Sequence, residues 1–484
     1  MESNNSKIGP RDAAAVARTV NTWLGNPLSR SLIRFVSGKN GERLDTGLRR
    51  YAGFHTNMGV MDKLAYRVIR FAISKGADSF GAPKGQMKEA LKDTVFRRAL
   101  VNVLTGIAEF GVQRPQTVGA PFLVVWNYTH CCNLKCKHCY EGSDASFLPD
   151  ELTTQEAKET LDKFKEAGVV AIAFSGGEPL IRKDFFEVAK YAKDNDFYVS
   201  VATNATLVTP EVAKKLKKTV DYAEISLDGF EKTHDEFRGI PGVWKRTVKG
   251  IRNCVAEGID TCVATTVTKL NIKELPRLID FVEKDLKANR IIFFNYIPTR
   301  RGKGIAKYDI TPGEREGLLE LFYSKLTDKK CRLNVLSTAP QYAVTSAKNA
   351  CGPAVATHFT NKNAADILQG KATTLTEFIG GCGCARLYAA LEPNGDIFPC
   401  VFLPIKIGNI RKDNIKNVWK NNPELKKMRK REEFVGCKTC EHKNICGGCR
   451  ARAYGYFGDV QGPDPGCSHN QKYWEQAQKG EYQK

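Results

Sequence analysis

From residue 121 onward the chain alternates short apolar runs with longer stretches whose apolar residues recur at helical spacing. Pro121 to Asn127 reads as a buried strand. Thr153 and Glu156 then form a capping box that opens a helix running to about Ala167, and Gly168 stops it. Val169 to Phe174 is a second apolar run, and strand–helix–strand is the building block of a parallel sheet. Residues 198–205, 223–229, 262–268 and 290–296 read as further strands with helical patterns between them. The expectation is an α/β domain with six strands of a β/α repeat.

Residues 1–120 carry a different pattern. Val60 to Ile73 puts Met61, Leu64, Val68, Phe71 and Ala72 on one helical face, and Met87 to Phe110 repeats the spacing with Leu91, Val95, Leu100, Leu104 and Ile107. No strand-rich segment is evident there. Lys and Arg outnumber Asp and Glu in these helices, with Arg30, Arg34, Arg43, Arg49, Arg50, Lys63, Arg67 and Arg70 prominent. Basic amphipathic helices suit an anionic membrane surface, while packing on the barrel with the charges turned to water explains them equally simply.

Chemistry enters just past the first strand, where Cys132, Cys136 and Cys139 are spaced CxxxCxxC. Three thiolates can wrap one loop around a metal centre and leave one coordination position open. A structural zinc site is normally closed by four ligands, whereas a three-cysteine cubane keeps one iron free. The second strand ends in Gly176, Gly177, Glu178 and Pro179. Glycines allow close approach of backbone to a ligand, and Glu178 can accept a hydrogen bond from an ammonium group.

The loop and the Gly-Gly-Glu-Pro stretch together resemble the signature of the radical S-adenosylmethionine (radical SAM) enzymes. The resemblance implies a partial (β/α)6 TIM-like barrel with ligands at the carboxyl ends of the strands. It implies a 4Fe-4S cluster on Cys132, Cys136 and Cys139, S-adenosylmethionine (SAM) on its open iron, and reductive cleavage to a 5′-deoxyadenosyl radical. Gly176 to Pro179 would bind the methionine amino group. Thr203 and Asn204 on the third strand, Ser226 and Asp228 on the fourth, and Thr266 with Asn271 after the fifth match positions that face SAM, although a Ser or Thr at a strand end commonly caps a helix. His234, Asp235 and Arg238 also recur in the family, and an internal ion pair accounts for them as well.

A second cysteine system fills the C-terminal part: Cys382, Cys384 and Cys400, then Cys437, Cys440, Cys446 and Cys449 as CxxCxxxxxCxxC, then Cys467. Two CxxC pairs suggest a zinc ribbon first, but the five-residue gap is short for one. With Ile407 to Ile410 and Trp419, the array resembles the SPASM extension of radical SAM enzymes, which binds auxiliary 4Fe-4S clusters. The tight Cys446/Cys449 pair, followed by Arg450 to Tyr454, resembles the branch that includes radical enzymes of haem biosynthesis. The family pattern implies one auxiliary cluster on Cys437, Cys440, Cys446 and Cys467 and a second on Cys382, Cys400 and Cys449, with Cys384 either its fourth ligand or out of reach, which would leave an open iron for substrate; a single auxiliary cluster is the rival reading. Of the remaining cysteines, Cys254 and Cys262 read as buried hydrophobes, Cys131 as a non-ligand, Cys331 is unassigned, and Cys351 could complete a cluster or serve in catalysis.

The expected organisation is a basic helical extension over 1–120, the barrel over 121–310, a linking segment over 311–375 and the SPASM module over 376–484. The 16 cysteines of the 484-residue chain cluster in ligand spacings, which points to a reducing, anaerobic cytoplasm rather than a disulfide framework. No signal peptide or membrane span is expected. A net charge of +21 allows a nucleic-acid partner, but the basic run 426–431 lacks a helix-turn-helix or stacking platform beside it, so nucleic acid is not expected.

An external one-electron donor of the ferredoxin or flavodoxin type is expected. The substrate ranks as a membrane lipid first, with the enzyme peripheral at the inner membrane face, then a tetrapyrrole side chain, then a peptide. The lack of strands in residues 1–120 counts against a peptide-leader domain. A non-enzymatic zinc scaffold is the reading from another class.

Overall fold

The computed structural model describes residues 26–80, 84–349 and 377–480. Cys351 lies outside them. The expected strands form as β1 (Leu123–Thr129), β2 (Ala171–Gly176), β3 (Tyr198–Thr203), β4 (Tyr222–Ser226), β5 (Asp260–Val267) and β6 (Arg290–Asn295). Each pairs in parallel with the next, and helices cross between them. The capping box at Thr153 and Glu156 is made, and Gly168 ends that helix in the left-handed region at φ 93°.

The sheet continues beyond the six strands at both edges. The helix Pro312–Thr327 leads into β7 (Asn334–Ser337), which extends β6 in parallel, so the segment expected as a linker adds another β/α unit. At the other edge β8 (Tyr388–Leu391) pairs in parallel with β1. Two antiparallel strands, β9 (Asp396–Phe398) and β10 (Gly408–Asn409), follow it, giving one ten-stranded sheet that joins barrel and cysteine-rich module.

Strand alternation sorts the side chains to two sides. Val124, Trp126, Ile172, Phe174, Val199 and Val201 belong to the buried core, together with Leu161, Phe164, Phe185 and Val188 from the crossing helices. The opposite side encloses a cavity of about 470 Å³. Small residues on the strands, including Ala171, Ala173, Ser200, Ala202 and Ala264, face it and leave room in the lumen.

The extension has its own core of Leu44, Leu48, Ala65, Ile69, Leu91 and Val101. Its last helix, Thr94–Phe110, closes the amino-terminal end of the barrel: Arg98 donates to the carbonyls of Val169, Asn195 and Asp196, and Val95 lines the cavity. Helix Val60–Phe80 departs from expectation. Gly47 on the neighbouring helix draws it in through Ile69, so Ala65 and Ile69 are buried while Met61, Leu64 and Phe71 are 57, 47 and 56% exposed. No helix among the described residues is long and apolar enough to cross a membrane.

Candidate active site

The cysteine loop leaves the carboxyl end of β1 and is pinned by the Cys132 amide, which donates to the Asp144 carbonyl at 2.6 Å. Cys132, Cys136 and Cys139 all line the large cavity, and none of them is in a disulfide. The Leu134 amide donates to Cys132 Sγ at 3.4 Å, and Arg238 Nη1 donates to Cys136 Sγ at 3.6 Å. Burial, then the Glu178 carboxylate, push the Cys132 thiol up to about 12. A loop of three thiols with N–H donors aimed at two of the sulfurs suits a cluster.

Gly176 and Gly177 line the cavity beside this loop. Their glycine identity follows from contact with β1 and the loop after it: a Cβ on Gly177 would lie 2.1 Å from the Cys131 carbonyl oxygen, and one on Gly176, at φ 114°, 2.5 Å from that of Thr129. Gly177 and Glu178 amides donate to the carbonyls of Thr129 and Cys131, so the two loops interlock. Pro179 starts the short 3₁₀ turn that follows.

Glu178 is fully buried, and its carboxylate ties its own turn to the end of β3. It accepts from Thr203 Oγ1 at 2.7 Å, the Asn204 amide at 2.8 Å and the Leu180 amide at 3.2 Å. Burial raises its carboxyl to about 7, against the pull of those donors. Thr203 and Asn204 line the cavity, but their contacts here are to Glu178 and, through Asn204, to Asn133 and Thr206.

Ser226 and Thr266 face the cavity at the ends of β4 and β5. Asp228 sits behind that wall, with no exposed surface. It pairs with Arg238 at 2.6 Å and accepts from the Thr266 amide at 2.9 Å. Burial raises its carboxyl, but Arg238, His138 and His234 outweigh burial and leave it below the ordinary value. Asp228 thus acts through Arg238 on Cys136. The ion pair in this region is Arg238 with Asp228; Asp235 instead accepts from the Gly242 and Trp244 amides. His234 Nδ1 accepts from the Asp228 amide, and burial lowers this imidazole to about 3. Asn271 is buried and donates to the carbonyls of Asp228 and Thr266.

In the C-terminal module, Cys437, Cys440, Cys446 and Cys467 rim one small cavity of about 60 Å³, as the family pattern groups them. Cys382, Cys384, Cys400 and Cys449 form the other group: Cys384 is hydrogen-bonded to the Cys400 thiol and lies within electrostatic reach of Cys382 and Cys449, and Cys449 lies within reach of Cys382 and Cys400. Cys384 Sγ also approaches Met428 Sδ at 3.8 Å. No trio of thiol, imidazole or carboxylate groups among the described residues converges as a single ion requires. Thiols spread around a space suit a cluster, whose ligands stand further apart than those of one ion.

Several cavity residues carried no sequence signal. Tyr140 hydrogen-bonds Ser175 at 2.7 Å and meets Phe402 edge-on. Phe402 and Cys400 come from the C-terminal module and line the barrel cavity, placing one auxiliary cysteine at its wall. Glu224, two residues below Ser226 on β4, also faces the cavity, and burial alone pushes its carboxyl up to about 7.

Residues 126–282 match the radical SAM superfamily and residues 382–442 an iron-sulfur cluster-binding (SPASM) domain. An AdoMet-dependent heme synthase of Methanosarcina barkeri is 36% identical over 355 residues, which are 72% of this chain and 96% of that protein. Mycofactocin maturase MftC of Mycobacterium tuberculosis is 28% identical, over 72% of this chain and 83% of that protein. Streptococcus suis SuiB, solved with bound S-adenosylmethionine, shares the fold with a TM-score of 0.60 at 17% identity, over 85% of this chain and 90% of that one. The cysteine loop and the interlocked Gly-Gly-Glu turn stand in the first matched region and Cys382, Cys384, Cys400, Cys437 and Cys440 in the second, and the chain belongs to the radical SAM superfamily as a SPASM-bearing, SAM-dependent iron-sulfur enzyme.

Proposed function

We propose that this enzyme abstracts hydrogen from a side chain of a haem-pathway tetrapyrrole. The observation that carries this reading is the 36% identity to a haem synthase along 96% of that protein's length. When bound, SAM and the cluster on Cys132, Cys136 and Cys139 supply a 5′-deoxyadenosyl radical that takes a hydrogen atom from an unactivated carbon.

The chain's own residues have separable tasks. Arg238, held by Asp228, donates to Cys136 and so tunes the electron density on that sulfur. Gly177 and Glu178 fix the loop that faces SAM. The small residues of the lumen leave room for substrate, and Phe402 with Tyr140 screens the site from water. Cys400 at the cavity wall would hold an auxiliary cluster close to the substrate, and such a cluster would supply an acceptor for one electron, while an external one-electron donor would serve the cluster on Cys132, Cys136 and Cys139. Two auxiliary clusters, on Cys437/Cys440/Cys446/Cys467 and Cys382/Cys384/Cys400/Cys449, complete this reading. Exposed Lys303 and Lys307, on the turn whose Gly302 abuts the His138 carbonyl, suit substrate carboxylates.

A membrane lipid is the second reading. It is supported by helix Val60–Phe80, which exposes Met61, Leu64 and Phe71 between exposed Lys63, Arg67 and Arg70 and lies outside both family matches. Such a face suits peripheral attachment to an anionic bilayer. For a peptide substrate the structure offers less: residues 26–80 and 84–110 fold as helices, without a strand-bearing leader-binding unit among the described residues.

The test is 5′-deoxyadenosine formation by the reduced, anaerobically reconstituted protein, comparing a haem-pathway tetrapyrrole bearing carboxylate side chains with membrane-lipid extract. Stimulation by the tetrapyrrole alone supports the first reading. Stimulation by lipid alone replaces it with the second.

A further inference from the structure

Three buried arginines of the C-terminal module have no carboxylate within ion-pair distance among the described residues. Arg386, Arg431 and Arg450 are 2, 5 and 1% exposed. The contrast is internal, because buried Arg452 pairs with Asp309 at 3.0 Å and Asp464 at 3.1 Å, and buried Arg315 pairs with Asp309 at 3.0 Å. A guanidinium out of water requires compensation, and carbonyl hydrogen bonds supply only part of it.

The placement of the three indicates what compensates them. Arg386 donates to the Cys382 carbonyl at 2.8 Å, beside the first auxiliary group. Arg450 donates to the Gly448 carbonyl at 3.4 Å, and a Cβ on Gly448 would meet Arg450 Nη2 at 2.5 Å and Cys437 Sγ at 3.6 Å, beside the second. Arg431 reaches both. Its Nη2 donates to the Cys382 carbonyl at 3.3 Å, while Nη1 donates to the carbonyls of Lys443 at 2.6 Å and Asn444 at 2.9 Å, in the turn between Cys440 and Cys446. A Cβ on Gly447, next to Cys446, would lie 2.6 Å from Arg431 Cζ.

We infer that Arg431 is a counter-charge shared by the two auxiliary clusters and raises the reduction potential of both. A cubane with four thiolate ligands is anionic when oxidised and gains one more negative charge on reduction, so a fixed cation beside it favours the reduced state. Net charge and hydrogen bonding are among the factors that set such potentials. With the charge placed between them, the electron added to one cluster repels a second electron at the other and offsets the pull of Arg431 there, so that the pair shares one electron more readily than it stores two. The inference rests on the two-cluster reading.

The experiment is an anaerobic redox titration of the full-length reconstituted protein, followed by electron paramagnetic resonance, for wild type, Arg431→Gln, Arg431→Lys and Arg386→Gln. Iron and sulfide are counted first. A wild-type count short of three cubanes defeats the two-cluster reading itself, separately from the role of Arg431. With three cubanes present, R431Q is expected to lower the reduced-to-oxidised ratio of both auxiliary clusters at least tenfold at fixed poise, which is about 59 mV for a one-electron couple. R431K should recover most of the shift, R386Q should move the Cys382 cluster alone, and the Cys132 cluster should stay put in all. Unmoved auxiliary couples, a shift in R431Q confined to one of them, or equal shifts in R431Q and R431K would overturn the inference. If R431Q loses iron, R431K and R386Q carry the test: both auxiliary potentials kept in R431K and one lowered in R386Q support it, and any other pattern overturns it.

Discussion

Replacing Asp228 should be far more costly than a polar residue at a strand end would suggest. The carboxylate has no exposed surface, and Arg238, only 10% exposed, lies 2.6 Å away. D228N leaves the guanidinium buried and unpaired, a change that costs about 3–5 kcal/mol when one partner of a buried pair is removed. R238M strands the carboxylate instead, although the Thr266 amide at 2.9 Å still donates to it, so its cost should fall at the lower end of that range. The double variant removes both charges and should cost clearly less than the sum, with a coupling of about 2–3 kcal/mol. The cycle is measured on cluster-free protein by urea unfolding under reducing conditions, followed by tryptophan fluorescence. Trp244 is a local reporter, because its indole N–H donates to the Gly229 carbonyl next to Asp228. Additive losses, or a D228N variant within about 1 kcal/mol of wild type, would refute the claim that this pair holds the wall behind Cys136.

Glu224 gives a pH signature. Burial holds its folded-state carboxyl near 7, above the unfolded value, so the folded protein binds the extra proton and stability falls as pH rises from about 4.5 through 7. E224Q should flatten that fall by about 1–3 kcal/mol, read from urea midpoints at pH 5.5 and 8; an unchanged slope would show that Glu224 is solvated in the cavity. G177A places a methyl 2.1 Å from the Cys131 carbonyl oxygen, so the interlocked loops must part. The expected outcome is loss of the Cys132 cluster, one third of the iron, with the auxiliary clusters kept, and full iron retention would contradict the interlock. If the lipid reading holds, protein should co-sediment with anionic but not zwitterionic vesicles, and K63Q/R67Q/R70Q should abolish this; equal binding to both vesicle types would remove the electrostatic basis.

The chemistry of the first site is legible because it is local: three cysteines within eight positions and a glycine pair with Glu178 at a strand end. The six strands are legible for a similar reason, since buried parallel strands read as short apolar runs. What reads less well depends on pairing across long chain separations. β7 is four residues long and carries no period of its own. β8 joins the barrel only through its register with β1, where Leu123 meets Tyr388. The contacts of Glu178 and Asp228 are illegible for the same reason: adjacent strand ends bring Thr203 and Asn204 onto Glu178, and the helix after β4 brings Arg238 onto Asp228.

That single sheet explains how an auxiliary module can serve a radical site in the barrel. Asn127 on β1 donates to Glu141 of the cysteine loop and to Glu392 after β8, each at 2.9 Å. Arg300, after β6, pairs with Glu392 at 2.9 Å and Glu141 at 3.2 Å. Burial, then the neighbouring Glu141 charge, raise the Glu392 carboxyl to about 7, and Arg300 opposes the shift. This cluster ties the loop that carries Cys139 to the module that carries Cys400, and both cysteines line the same cavity. Their relative position is therefore set by strand register and a buried polar knot rather than by a flexible hinge. The continuous sheet thus holds Cys139 and Cys400 at a fixed spacing along one cavity, which is what the proposed transfer between barrel and module would need.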